Sequence, residues 1–87
     1  MKIKIEEITT PGCQICARVK KFFEDTVKPK YPDIEIEYRG VTDPHAQEHI
    51  QKHMIFSAPA IFINEELFSA GGLDENSFLK KIEELSG

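Results

Sequence analysis

The chain has no tryptophan, only two cysteines and two methionines, and no more than five glycines and five prolines in 87 residues. So little Gly and Pro excludes collagen-like and low-complexity organisation. Two cysteines, Cys13 and Cys16, cannot supply the disulfide framework of a small secreted domain, and a bridge between positions so close would restrain little unfolded-chain entropy. No apolar run approaches the roughly 20 residues of a membrane span, and the Met1-Lys2-Ile3-Lys4 start is not followed by an apolar stretch with a small-residue cleavage site. Positive charge is also short. The 11 Lys+Arg against 15 Asp+Glu leave a net charge of −4, the wrong sign for displacing counterions from phosphate. The expectation is one small acidic cytoplasmic domain, residues 1–87, acting as a monomer with neither nucleic-acid nor membrane partners. With 40% hydrophobic residues it should pack, but at this length only about 60–65% of the unfolded surface is hidden, so any chemistry must lie near the surface.

What is present reads as alternating strands and helices. Ile3 and Ile5 alternate with Lys2 and Lys4, which predicts a first strand running to about Ile8. Thr9-Thr10-Pro11-Gly12 breaks it. From Cys13 onward Ile15, Val19, Phe22, Phe23 and Val27 fall at helical spacing, with Pro29 as the expected stop. Ile34, Ile36 and Tyr38 alternate with Glu35, Glu37 and Arg39 as a half-exposed edge strand. Asp43-Pro44 is a helix start, an N-cap acceptor followed by proline where its missing N–H is not needed, and Ala46, Ile50 and Met54 continue as the expected buried stripe. Ala60-Ile61-Phe62-Ile63 is a buried strand, Glu65-Glu66 its expected turn, and Leu67-Phe68-Ser69-Ala70 the returning strand. Asp74 should cap a last helix with Phe78, Ile82 and Leu85 inward, and Leu73 packed on Phe78.

The order β-α-β-α-β-β-α places Cys13-Gln14-Ile15-Cys16 at the start of the first helix. Residues three apart on a regular helix hold their Cβ atoms about 5–6 Å apart, whereas a disulfide wants roughly 3.5–4.5 Å. If Cys13 occupies the cap or first helical position, its backbone need not be helical and the gap can close. The positive end of the helix dipole then favours a Cys13 thiolate by about 0.3–2 kcal/mol. Cys16, one turn deeper, should be shielded. Cys13 is therefore expected to attack a substrate disulfide, and Cys16 to attack Cys13 in turn, releasing reduced substrate without any bound cofactor. The same pair could instead be half of a structural metal site or bridge an iron–sulfur cluster.

Three separated motifs make nearly the whole chain resemble the thioredoxin and glutaredoxin superfamily: Cys13-Gln14-Ile15-Cys16 after a strand, Ser57-Ala58-Pro59 before the apolar strand, and Gly71-Gly72-Leu73-Asp74 before the last helix. The resemblance implies an α/β thioredoxin-like fold, with a four-stranded mixed sheet and helices on both faces, and a dithiol–disulfide oxidoreductase. It implies a cis Pro59 facing the active site, with Ala58 pairing to the substrate chain and Gln14, Ile15 and Ser57 alongside. Gly71, Gly72 and Asp74 would offer N–H groups and a helix start to the carboxylate of glutathione, a candidate reductant. Glu7, six residues before Cys13 and on the face of Ile3 and Ile5, matches the position where thioredoxins carry a buried acid, which would have a raised pKa and take the proton from Cys16. The partners implied are a disulfide-bearing protein and either a reductase or glutathione. The chain departs from glutaredoxins in carrying Thr10 where they usually have lysine, and from thioredoxins in lacking tryptophan.

His45, His49 and His53, spaced by four, line one side of the second helix. Joined to the cysteines they mimic a zinc-finger pattern, but 28 residues separate Cys16 from His45, about twice the 12–15 of such a finger. In a thioredoxin-like arrangement that helix also lies on the opposite sheet face from the cysteines. The histidines are expected to be a polar shoulder beside the apolar stripe, and no metal is assigned. A copper-chaperone-like domain also begins strand, Cys-x-x-Cys, helix, but it needs two strands where Asp43-Pro44 starts a helix and a strand where this chain ends in a helix.

Overall fold

In the computed structural model, which describes residues 2–86, the alternation at the start of the chain becomes β1 (Lys4–Thr9). A crossover through α1 (Gln14–Phe22), a π-helical stretch (Phe23–Val27) and a short α2 (Lys28–Lys30) leads to β2 (Glu35–Gly40). After α3 (Pro44–His53) come β3 (Ala60–Ile63), β4 (Glu66–Ala70) and α4 (Glu75–Ser86). The sheet runs β2-β1-β3-β4, with β1 parallel to β2 and β3 antiparallel to both its neighbours. This is the expected β-α-β-α-β-β-α arrangement. The parallel pair requires the long crossover, while the antiparallel pair is closed by a two-residue turn.

Because strand side chains alternate in direction, the two central strands feed two cores. Ile3, Ile5, Ile61 and Ile63 pack with Val19, Phe22 and Phe23 of the first helical run and with Phe78 and Ile82 of α4. On the other face Ile8, Ala60 and Phe62 pack on Ala46 of α3. Phe78 is the hub of the larger core, its ring 5.1 to 5.9 Å from those of Phe22, Phe23 and Phe68. Phe68 reaches it because β4 carries an irregularity opposite Ile61 and Phe62, which leaves Phe68 as an extra residue. The caps act as read: Asp43 accepts from the N–H groups of His45 and Ala46, and Asp74 from those of Asn76 and Ser77.

Four expectations change. Pro29 does not end the helical run: the chain widens to a π turn, in which the Lys28 N–H donates to the Phe23 carbonyl. That register accommodates a proline ring that would otherwise meet the carbonyl four residues back. The hairpin turn is Asn64-Glu65, not Glu65-Glu66; both residues take positive φ, 51° and 69°, the requirement of a tight two-residue turn that Asn meets well. Met54 leaves the buried stripe because it takes the left-handed conformation that ends α3 and is 71% exposed. Its place is filled by His49, which is buried with its ring 4.1 Å from that of Phe62, so the histidines are not a polar shoulder.

Candidate active site

The loop after β1 turns through Gly12, at φ 74°, and delivers Cys13 to the N-cap of α1. Cys13 has φ −80° and ψ 106°, extended rather than helical, as bridging requires. With its Cα 5.2 Å from that of Cys16, the two form a disulfide. The Cys13 N–H donates to the Thr10 carbonyl at 3.3 Å, and the Cys16 N–H donates to Cys13 Sγ at 3.1 Å. Thus a backbone donor of the first turn aims at the sulfur of Cys13. Cys16 is only 3% exposed, while Cys13 is half-buried. The two sulfurs differ in the direction the sequence suggested.

A surface cavity of about 420 Å³ opens over the pair, lined among others by Thr10, Cys13, Gln14, Cys16, Lys20 and Tyr38. Lys20 reads in the sequence as part of the wet face of its helix, with Arg18 and Lys21, and Tyr38 as a strand residue, yet both line this cavity. Lys20 Nζ sits 4.9 Å from the centre of the Tyr38 ring, and Tyr38 donates to Glu24 at 2.6 Å. Burial and that hydrogen bond push the Tyr38 phenol well up, so it stays protonated. The only signal in the sequence was that Tyr38 falls on the inward side of its strand, and Lys20 one turn beyond Cys16.

Glu7 is fully buried. It lies on the β1 face covered by α1, pairs in register with Tyr38 and Ile61, and neither carboxylate oxygen has a hydrogen-bond partner. Desolvation raises its pKa from 4.5 to about 7, against the opposing charge of Lys20. Glu7 is thus a buried carboxyl next to Tyr38 in the sheet register, and Tyr38 and Lys20 are among the residues lining the cysteine cavity.

The Ala58–Pro59 peptide bond is cis, as the resemblance implied. Ser57 and Ala58 line a second groove of about 180 Å³, which shares Thr10 with the cysteine cavity. The Gly71 N–H donates to the Pro59 carbonyl at 2.9 Å. Gly71 has φ 87°, and a Cβ there would fall 3.2 Å from that of Ser57, so glycine is needed both for conformation and for space. Gly72 is tied in through its carbonyl, which accepts from Ser69 Oγ at 2.8 Å. The Asp74 carboxylate is held low by bonds from the Ser77 backbone and side chain and from Asn76, all within its own helix cap. The third motif thus braces the cis-proline loop and starts α4.

Ile15 is 46% exposed and borders a shallow recess with Leu73. Beside Ser57 and Ala58, Phe56 is 89% exposed, a feature the sequence reading overlooked. Its signal was an aromatic residue in a loop, between the end of a helix and the Ser57-Ala58-Pro59 motif. The histidine-bearing α3 packs on the face away from α1, so one ion could not join the histidines to the cysteines. Among the described residues no helix is long and apolar enough to cross a membrane.

The sequence matches a family model described as a thioredoxin domain over residues 1–84. No curated protein matches it. Solved structures share its fold at low identity. Oxidised thioredoxin O2 from Arabidopsis thaliana is 18% identical with TM-score 0.68, over 95% of this chain and 74% of that one. Oxidised thioredoxin from Plasmodium falciparum is 19% identical with TM-score 0.67, over 98% and 82%. A chain from the complex of ferredoxin:thioredoxin reductase with thioredoxin f2 is 16% identical with TM-score 0.73, over 99% and 79%.

Proposed function

Since the chain belongs to the thioredoxin-domain family and carries a dithiol–disulfide pair at the head of α1, we propose that it is a thiol–disulfide oxidoreductase in which Cys13 attacks and Cys16 resolves. The observation that carries this assignment is the asymmetry of the pair: Cys13 is half-exposed at the N-cap with a backbone N–H on its sulfur, and Cys16 is buried one turn behind.

In the reduced protein the Cys13 thiolate, favoured by that N–H and the helix dipole, attacks one sulfur of a substrate disulfide. The other substrate sulfur leaves as a thiolate and takes a proton from solvent. Cys16 then loses its proton and attacks Cys13 Sγ, which expels the second substrate sulfur and forms the Cys13–Cys16 bond. Two electrons pass from the pair to the substrate, which leaves as two thiols. Glu7 is the acceptor for the Cys16 proton in this reading, supported by its full burial, its lack of other partners and its register beside Tyr38 of the cavity wall. Glu7→Gln should slow resolution by about 100-fold, the low end of general-base effects, and leave the first attack nearly unchanged.

The substrate is a protein disulfide in an extended segment, lying along Ala58 and Pro59 with Ile15 and Phe56 as apolar flanks. Recharging by a protein reductase is favoured over glutathione, because the Asp74 carboxylate is committed to its helix cap and Thr10 stands where glutaredoxins carry lysine. Reduction of a protein disulfide and of a glutathione mixed disulfide by wild type, Cys13→Ser and Cys16→Ser tests the scheme. Cys13→Ser should be inactive on both, while Cys16→Ser should trap the protein substrate and gain nothing from glutathione. Wild-type turnover by Cys13→Ser would remove the nucleophile assignment, and rapid turnover of the glutathione adduct by Cys16→Ser would remove the preference for a reductase.

A further inference from the structure

The other face of the sheet carries a side-chain cluster that disulfide exchange leaves unused. Glu6 projects from β1 in the opposite direction to Glu7 and is met by His45 and His49, one turn apart on α3, and by Glu65 from the β3–β4 turn. One donor atom from each of the four lies within 4.8 Å of all the others. His45 Nε2 is 3.2 Å from Glu6 Oε2 and 3.7 Å from Glu65 Oε2, and His49 Nε2 is 3.7 Å and 3.2 Å from the same two atoms. Those spacings bracket the ~3.3–3.4 Å between donors around a tetrahedral ion with bonds of about 2.0–2.1 Å.

Burial supplies an independent observation. The Glu6 side chain is 1% exposed and that of His49 is 9% exposed, yet Glu6 Oε1 and His49 Nε2 have no hydrogen-bond partner, nor does His45 Nε2. The imidazole nitrogens are near the carboxylates without being aligned as donors to them. Buried polar atoms left in that state cost free energy, and a cation between them removes the cost. Nearby cations do not balance the cluster. Lys4 and Arg39 lie among four carboxylates, those of Glu6, Glu37, Asp43 and Glu65, an excess of two negative charges that one divalent ion would cancel. His45 and Glu65 are partly exposed, at 36% and 53%, which leaves an approach from solvent.

We infer that Glu6, His45, His49 and Glu65 form a binding site for a divalent cation of the zinc type, clamping α3 and the β3–β4 hairpin to β1. Two imidazoles and two carboxylates suit borderline ions such as Zn²⁺, whereas Ca²⁺ and Mg²⁺ prefer more oxygen donors. The site is on the sheet face away from the cysteines and is independent of their chemistry.

The test is calorimetric titration of the chelator-stripped full chain with Zn²⁺, alongside Co²⁺ for its tetrahedral absorption, with circular dichroism checking the fold of each variant. One ion per chain should bind to wild type, to the Cys13→Ser/Cys16→Ser double variant and to His53→Ala. Binding should weaken by at least about 100-fold in His45→Ala and in Glu65→Gln, whose side chains are exposed enough for both variants to fold. No saturable binding to wild type at millimolar Zn²⁺ would overturn the inference, the cluster then being a histidine–carboxylate ion-pair network. Binding that survives both ligand substitutions, or vanishes with the cysteines, would overturn it as well.

Discussion

Replacing Glu7 by glutamine should flatten part of the pH dependence of stability. A free carboxyl ionises near 4.5, and this one at about 7 because it is desolvated, with Lys20 opposing. Well below 4.5 the group is protonated in both folded and unfolded chains and makes no difference. Between 4.5 and about 7 the unfolded chain releases the proton while the folded chain keeps it, so the fold loses roughly 1.4 kcal/mol of stability per pH unit. Above the folded pKa the loss levels off, in total at about 3 kcal/mol. Glutamine has no proton to lose. Its buried amide costs about 1–3 kcal/mol for want of partners, but at every pH alike. Urea unfolding of both proteins with the disulfide intact and a chelator present, across about pH 4 to 8, gives the comparison. The stability of wild type relative to variant should fall by about 3 kcal/mol over that range, the titration of all other groups cancelling. A constant difference would refute the claim that the fold holds an ionisable carboxyl away from water at Glu7.

Other substitutions separate binding from framework. Phe56→Ser removes an exposed ring from the proposed docking face and should raise KM for a protein disulfide about tenfold, the scale of one apolar anchor, with turnover of a small disulfide unchanged; equal loss on both substrates would place Phe56 elsewhere. Asp74→Ala should lower the urea midpoint by uncapping α4, without changing activity on a glutathione mixed disulfide; a selective loss of that activity would restore Asp74 as a glutathione contact. Phe78→Ala, at the aromatic hub, should cost about 3–5 kcal/mol, read by urea unfolding, whereas a cost under about 1 kcal/mol would mean that α4 does not close the larger core through this ring.

Element types and order were legible because period and punctuation agreed: alternation at Ile3 and Ile5, the apolar run Ala60-Ile61-Phe62-Ile63, and acidic caps at Asp43 and Asp74. The cysteines at the head of α1 and the cis Pro59 were legible too, the first from spacing and the second from resemblance. What escaped the reading depends on tertiary packing. The chain passed Pro29 by widening one turn, an option no propensity forecasts. His49 is buried because Phe62 offers it a ring to stack on, a contact between α3 and β3 that helical periodicity alone does not reveal. Glu6 carries no motif in the sequence, and its burial follows from tertiary placement, since a central strand between β2 and β3 leaves neither face wet. Lys20 and Tyr38 reached the cysteine cavity only when β2 paired with β1.

The most direct test of the central claim is competitive alkylation of the reduced chain at neutral pH, resolved by mass spectrometry into adducts on each sulfur. Cys13 should react first, faster than Cys16 by about tenfold or more, and its rate should fall at a lower pH than that of an ordinary thiol. Equal rates, or an adduct forming first on Cys16, would contradict the division of roles between the two sulfurs.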